Sequence, residues 1–400
     1  MSFPTPVDTV STSLLLATVP SVQTPHFLSA VIQTATSLTK DKLVIVLFSR
    51  CFNLVRDGST YPESLAISHT ATSSWKDVQR LLTFVYVQAT KIAQEKGRVL
   101  MDIDVLLKGL NDNDLENDLD ELVRDLNVEV VFRVSGDSIA TPLPASIGAK
   151  RTAYLHAGGN IPDLAIAEGS YSSVLTPLAP QTPFPPQTPS LSRSTTSSNI
   201  RHDVTDASFA SISSLLTQTQ SQKPKMYPVV ALGGTFDHLH AGHKILLSMG
   251  AWIASEKLIV GVTSSSLLSK KPNADLVEPL EVRMENVRKF LGRFKKGIEY
   301  YLTELTDVYG PTGYDPNIQA LVVSRETISG AKEIAAHRAS HNLPPLDLYV
   351  IDVISSTNHN LDHEDVGWLK DMKLSSTFIR SWIAERDAKA KEVQGVDSKN

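Results

Sequence analysis

Residues 227–243 read YPVVALGGTFDHLHAGH, and this stretch decides the fold. Val229-Val230-Ala231-Leu232 is a short aliphatic run of the kind a buried parallel strand carries. Gly233 and Gly234 follow, then Thr235-Phe236-Asp237, then His240 and His243 on either side of Ala241-Gly242. Beyond them Ile245, Leu246, Met249, Trp252 and Ile253 recur at helical spacing. A strand, a glycine turn and a helix make half of a nucleotide-binding unit, with phosphate expected where the turn meets the helix N-terminus. Glycine at that turn lets backbone N–H groups come close to a ligand.

Downstream, strand and helix alternate as a doubly wound parallel sheet requires. Strands are expected over 257–263, 298–302, 320–324 and 348–353, and helices over 280–294 and 330–342. The expected fold class is α/β: a Rossmann-like parallel-sheet domain over 227–400, preceded by a smaller α/β domain over 1–173. Ligands of such sheets gather at the carboxyl ends of the strands.

GGTFDHLHAGH, with His240-Ala241-Gly242-His243 at its core, resembles the first signature of the HxGH nucleotidyltransferases. Lys373-Leu374-Ser375-Ser376-Thr377-Phe378-Ile379-Arg380 resembles their second, a Ser/Thr cluster opening a late helix. Leu268-Ser269-Lys270-Lys271-Pro272 and Val323-Ser324-Arg325-Glu326-Thr327 lie between them in the family's order. Over residues 227–387 the chain most resembles the eukaryotic, fungal-type phosphopantetheine adenylyltransferases. The resemblance implies transfer of the adenylyl group of ATP to 4′-phosphopantetheine, giving 3′-dephospho-coenzyme A and pyrophosphate.

It also implies roles. His243 would contact the α-phosphate, and His240 would support the triphosphate together with Gly233, Gly234 and Phe236. Thr235 and Lys270 would hold the incoming phosphate, joined by Arg325, while Ser375, Ser376 and Thr377 would take the β- and γ-phosphates. Bacterial relatives carry an arginine pair where this chain has Arg325 followed by Glu326-Thr327, and Lys332 and Arg338 are the candidates for the second cation. Mg²⁺ is implied with ATP, held by phosphate oxygens and water.

Such chemistry brings two polyanions together, so placement and positive or hydrogen-bonding groups do most of the work. A phosphate monoester is already anionic near pH ~7, so no general base is required. Histidines three apart at a helix start project from one side, and the helix dipole adds to their pull on phosphate. Zinc is the competing reading of that pair, but no third ligand has fitting spacing. Asp237 reads as a helix cap, a histidine orienter or a purely structural carboxylate. Lys270 and Lys271 alone would read as solvated. Three hydroxyls in a row with Arg380 one turn on exceed what an N-cap needs. His359 and His363 are four apart, but without the following glutamate the metalloprotease pattern fails.

Rival activities have their own signatures. Choline phosphate and glycerol phosphate cytidylyltransferases carry an RTEGIST-type second motif, absent here; a nicotinamide mononucleotide adenylyltransferase fits the surroundings of Lys270 and Arg325 less well. A non-catalytic scaffold of a coenzyme A-synthesising complex conflicts with the intact histidine pair, lysine and serine cluster. No GxxxxGK[ST] loop occurs, so kinase activity is not expected.

The first half carries no catalytic constellation. Strands are expected over 13–19, 42–48, 98–103 and 128–134, with helices over 75–93 and 115–126. Asn111-Asp112-Asn113-Asp114 lacks the glycine and glutamate of a calcium loop and reads as a capped helix start. His156-Ala157-Gly158-Gly159 reads as a turn. The sequence assigns the first half no role of its own; a docking or regulatory module for other enzymes of coenzyme A synthesis is the reading left open. Pro177 to Pro189 and the Ser/Thr-rich sequence after them mark 174–226 as a disordered linker, with a weak helix over 206–216.

At 400 residues with net charge −5, the chain is long enough for two cores and a poor match for broad nucleic-acid or membrane-surface binding. The single cysteine, Cys51, excludes an internal disulfide framework and reads as a core residue in a reducing compartment. No apolar run nears the roughly 20 residues of a membrane span. The start of the sequence lacks a basic region ahead of Leu14, so neither a secretory signal nor a transit peptide is expected. The expectation is a cytoplasmic protein, with the nucleus left open.

Overall fold

The computed structural model describes residues 9–53, 71–110, 114–157, 226–351 and 375–397. The expected linker up to residue 225, His359, His363, Lys373 and Leu374 lie outside the described residues.

Two all-parallel five-stranded sheets organise the chain. The first holds β1 (Val10–Thr18), β2 (Thr39–Ser49), β3 (Asp102–Gly109), β4 (Val130–Val134) and β5 (Arg151–Leu155), in the order β3-β2-β1-β4-β5. Helices α1 (Ser29–Ser37), α2 (Trp75–Glu95) and α3 (Leu115–Asp125) connect these strands. The second sheet holds β6 (Tyr227–Gly234), β7 (Ala254–Thr263), β8 (Glu299–Leu305), β9 (Ala320–Ser324) and β10 (Asp347–Ile351), ordered β10-β9-β6-β7-β8. Its helices are α4 (Ala241–Ile253), α5 (Leu280–Phe294), α6 (Ile328–Ser340) and α7 (Ser376–Asp397). Counted from its own first strand, each sheet runs 3-2-1-4-5, so both halves share one winding.

Aliphatic runs form the central strands because both sheet faces are covered. Leu14, Leu15, Leu16, Val44, Ile45 and Val46 are all fully buried. The third strand is displaced from its expected span of 98–103 to Asp102–Gly109. Arg98 sits in the turn after α2, where its guanidinium donates to the Thr36 and Ser37 carbonyls at 3.3 and 3.0 Å. The run Val105-Leu106-Leu107 takes the buried register instead. Strand β5 and helix α1 were not foreseen.

Side chains of the two sheets meet in one hydrophobic core. Trp252 of α4 places its ring 6.1 Å from Phe52 and donates from Nε1 to the Ala71 carbonyl at 3.1 Å. Trp75 of α2 packs on Tyr349 of β10 with centroids 4.7 Å apart.

In the second sheet Leu305 wedges against three glycines. A Cβ on Gly261 would lie 2.6 Å from three of its atoms, one on Gly310 2.3 Å from Cδ2, and one on Gly233 3.1 Å from Cδ1. Gly261→Ala should therefore destabilise by about 1–3 kcal/mol through overpacking. Denaturant titration should show a smaller loss when Gly261→Ala is made in a Leu305→Ala background; equal losses in both backgrounds would reject the clash.

Candidate nucleotide site

Because the second sheet is parallel, Gly234, Thr263 and Ser324 all end their strands at one edge. β6 is central, with β7 on one side and β9 on the other, so a topological switch point falls beside its carboxyl end. The glycine turn, the Lys270 loop and the Arg325 turn leave the sheet there.

The turn is built tightly. Phe236 and His238 both have positive φ, 49° and 44°, a conformation L residues enter at a cost. Phe236 is fully buried, and a Cβ on Gly234 would stand 3.1 Å from its ring, so any larger residue there would crowd it. Arg283 of α5 is also fully buried; its guanidinium donates to the carbonyls of Thr235 and Thr263 at 2.8 Å each and of Glu278 at 2.9 Å. Three backbone oxygens around the turn thus share one cation.

Asp237 joins the turn to the last helix. Its carboxylate, 1% exposed, accepts the Glu278 N–H at 2.9 Å and forms a buried ion pair with Arg380. Its carbonyl accepts the Ser376 hydroxyl at 2.8 Å. Asp237 therefore neither caps a helix nor orients the His240–His243 pair. Arg380, one turn beyond the three hydroxyls, is a buried strut: its Nε donates to the Pro272 carbonyl at 3.1 Å, tying in the loop that carries Lys270. The glycine turn, the lysine loop and the serine helix consequently meet at two side chains.

His240 and His243 stack at the head of α4, centroids 3.8 Å apart, with Phe236 5.2 Å from His243. Among the described residues, neither Nδ1 has a hydrogen-bond partner, though both atoms are buried. Burial drives the His240 pKa down to about 3, helped by the charges of Lys244 and His238. Burial likewise holds His243 well below the ordinary range, with His240 and Lys271 adding to the effect. Both rings are neutral in the free protein, and each can offer a phosphate oxygen an N–H without charge.

Thr235 and Gly233 are half-buried, and Lys270 and Lys271 exposed. Lys271, rather than Lys270, is the lysine whose charge reaches His243. Arg325 is exposed at the end of β9. Ser375 Oγ accepts the Phe378 N–H at 3.3 Å and so caps α7, Ser376 is tied to Asp237, and Thr377 is exposed. Arg338 does not supply a second site cation: it is 1% exposed and donates to Pro344, Thr312 and Asp315 carbonyls at 2.7–3.0 Å. Lys332 is exposed. Among the described residues, no group of three or more His, Cys, Asp or Glu could hold a metal ion. None of their helices is long and apolar enough to cross a membrane.

A cavity of about 390 Å³ adjoins the site. His240, Lys244, Ser375 and Phe378 line one wall, and Leu100, Asp102 and Asp104 of the first half line the other. Thr235, His243 and Lys270 do not line it, so the nucleotide site is assigned from the converging motifs and the cavity is an annex to it.

Sequence reasoning missed the buried cations, yet left a trace of them. Arg283 precedes Val287, Phe290 and Phe294 on the apolar face of its helix, and Arg338 follows Ala331 and Ile334 on theirs. A charge in an apolar stripe signals a buried partner.

The parallel sheet with a histidine-headed helix after its first strand and a serine-headed helix after its last falls on the residues, 231–380, that the family model described as cytidylyltransferase-like matches. Phosphopantetheine adenylyltransferase of Saccharomyces cerevisiae is 44% identical over 154 residues, 38% of this chain and 48% of that protein. The proteins of that name from Methanothermobacter thermautotrophicus and Pyrobaculum aerophilum are 39% and 34% identical, over 77% and 94% of their own lengths and 33% and 40% of this chain. The chain belongs to the phosphopantetheine adenylyltransferase family. The match spans about half the length of the yeast relative and leaves the first sheet of this chain uncovered.

Two outcomes follow for the site. Removing the carboxylate in Asp237→Ala strands Arg380 as a buried, uncompensated charge, which should cost about 3–5 kcal/mol in equilibrium unfolding; a loss under about 1 kcal/mol would show the pair is dispensable. The histidines should also make stability acid-sensitive. In the unfolded chain they take up protons near pH 6.5, whereas in the folded protein they stay neutral far lower. The unfolded state then binds more protons, so stability is complete above pH 6.5 and declines as pH falls toward about 3. Melting curves between pH 7 and 5 should fall less steeply for His240→Asn than for the wild type; identical slopes would remove the histidine contribution.

Proposed function

We propose that the protein transfers the adenylyl group of ATP to 4′-phosphopantetheine, giving 3′-dephospho-coenzyme A and pyrophosphate. One observation carries the reading: two buried imidazole nitrogens without partners stand in a turn bonded directly to a serine-headed helix. A buried polar nitrogen without a partner is costly, and in the tautomer that carries its proton there a phosphate oxygen would satisfy it. The names of the yeast and archaeal relatives support the choice of substrates.

In the proposed reaction an oxygen of the phosphopantetheine phosphate forms a bond to the α-phosphorus of ATP. The bond from that phosphorus to pyrophosphate breaks, and the electron pair leaves with pyrophosphate. His243 steadies the crowded α-phosphate, His240 the triphosphate, and the N-terminus of α4 adds unpaired N–H groups. Gly233, Gly234 and Phe236 shape that turn. Thr235, Lys270 and Arg325 hold the acceptor phosphate, with Lys271 close enough to assist. Ser375, Ser376 and Thr377 bring the head of α7 to the β- and γ-phosphates. Mg²⁺ would enter on the oxygens of ATP, as part of the substrate. The reaction is placed in the cytoplasm, in keeping with the single free Cys51. Partners among enzymes of coenzyme A synthesis would dock on the first half, and a pull-down with the full chain tests for them.

Incubated with ATP and phosphopantetheine, the full chain should yield dephospho-coenzyme A and pyrophosphate by mass spectrometry, and no coenzyme A. A product from CTP and phosphocholine instead would overturn the substrate assignment. His243→Ala should lower turnover at least ~100-fold, the scale of losing one transition-state donor; activity within severalfold of wild type would refute its role.

A further inference from the structure

Lys244 directly follows His243, and it is 3% exposed. Its backbone N–H donates to the His240 carbonyl at 3.0 Å, the first hydrogen bond of α4. Its ammonium reaches into the first half of the chain. There it donates to the Asp104 carboxylate at 2.6 Å, to the Ile103 carbonyl at 2.8 Å and to the Asp102 carboxylate, so all three donors are spent. Asp104, 1% exposed, also accepts from Lys42 of β2 at 2.5 Å and Arg293 of α5 at 3.2 Å. The far end of α4 is held from the same side, where Trp252 Nε1 meets the Ala71 carbonyl and, at 3.3 Å, the Ser74 hydroxyl.

Stability does not account for this arrangement. The residues after Lys244 are almost wholly apolar, so a methionine or leucine would bury well there, and exchanging a buried ion pair for apolar side chains is often neutral or stabilising. A three-donor ammonium does what an apolar side chain cannot: it fixes both the rotation and the axial position of the helix at one residue. That residue lies beside one catalytic histidine and a turn from the other. No family match covers β3, so motif comparison does not reveal the contact.

We propose that Asp104 and Asp102 of the first sheet are positioning residues for adenylyl transfer, acting through Lys244 to seat His240 and His243. The inference rests on the proposed reaction. It makes the first half a frame for the catalytic helix, whatever else it binds.

The test uses the full chain with Lys244→Met and, because that variant puts the fold at risk, the half-exposed isostere Asp102→Asn. Folding is checked by cooperative melting. Misplacing the histidines by a fraction of an ångström should lower kcat in Lys244→Met by about 10–100-fold and leave the KM values for ATP and phosphopantetheine within about threefold. Asp102→Asn should show the same split at about 3–10-fold, since it removes the carboxylate charge at one acceptor while the Ile103 and Asp104 contacts remain. In both, amide exchange over residues 238–247 should rise above wild type. A folded variant whose kcat stays within twofold of wild type overturns the proposal, as does unchanged exchange over that turn. A wild-type protein that makes no dephospho-coenzyme A rejects the proposed function instead; the exchange comparison then still decides whether the aspartates hold the turn.

Discussion

The buried Asp237 carboxylate is the contact on which the site depends. It sits at the end of a strained turn, takes one backbone N–H, and neutralises an arginine from a helix 143 residues further on. Neither ion could remain buried alone, because the desolvation of each is offset only by the other and by the hydrogen bonds around them. The requirement is geometric as well as energetic. Turn, lysine loop and serine helix can each vary in detail, but all must meet where the charges pair.

The electrostatics of the histidine pair fit the same plan. Two imidazolium ions stacked at 3.8 Å would repel, and burial removes the water that would screen them. Burial favours neutral rings, so the free site holds unpartnered polar nitrogens rather than charge. Triphosphate would meet polarity already in place, which costs little reorganisation during the reaction. Lys270 and Lys271, by contrast, are exposed, where water tolerates their charge.

Much of this was legible in the amino-acid order. Aliphatic runs between polar turns announced the parallel strands, and the spacing of Val287, Phe290, Leu291 and Phe294 placed α5 correctly. The glycine turn, its histidines and the serine cluster are local patterns, so one stretch reveals each. Pairings across long separations were not legible. Nothing near Lys244 says that Asp102 and Asp104 receive it, and nothing near Arg380 says that Asp237 does. Asp102 and Asp104, two apart on one strand, did lie on a common face, but a partner 140 residues away leaves no local period. The third strand was misplaced for a related reason: Arg98 is held in its turn by carbonyls of another segment, which no local propensity reports.

The identical winding of the two sheets bears on how the chain reaches its working form. Contacts that complete the site span most of its length, and closing such long loops is slow relative to local folding. The first sheet is translated earlier, so its strands are available before α4 leaves the ribosome. The histidine helix would then dock onto an acidic edge, and the serine helix would arrive last to lock the turn. Catalytic competence would be a late event in biogenesis, acquired only when the final helix closes over what the first sheet has already set in place.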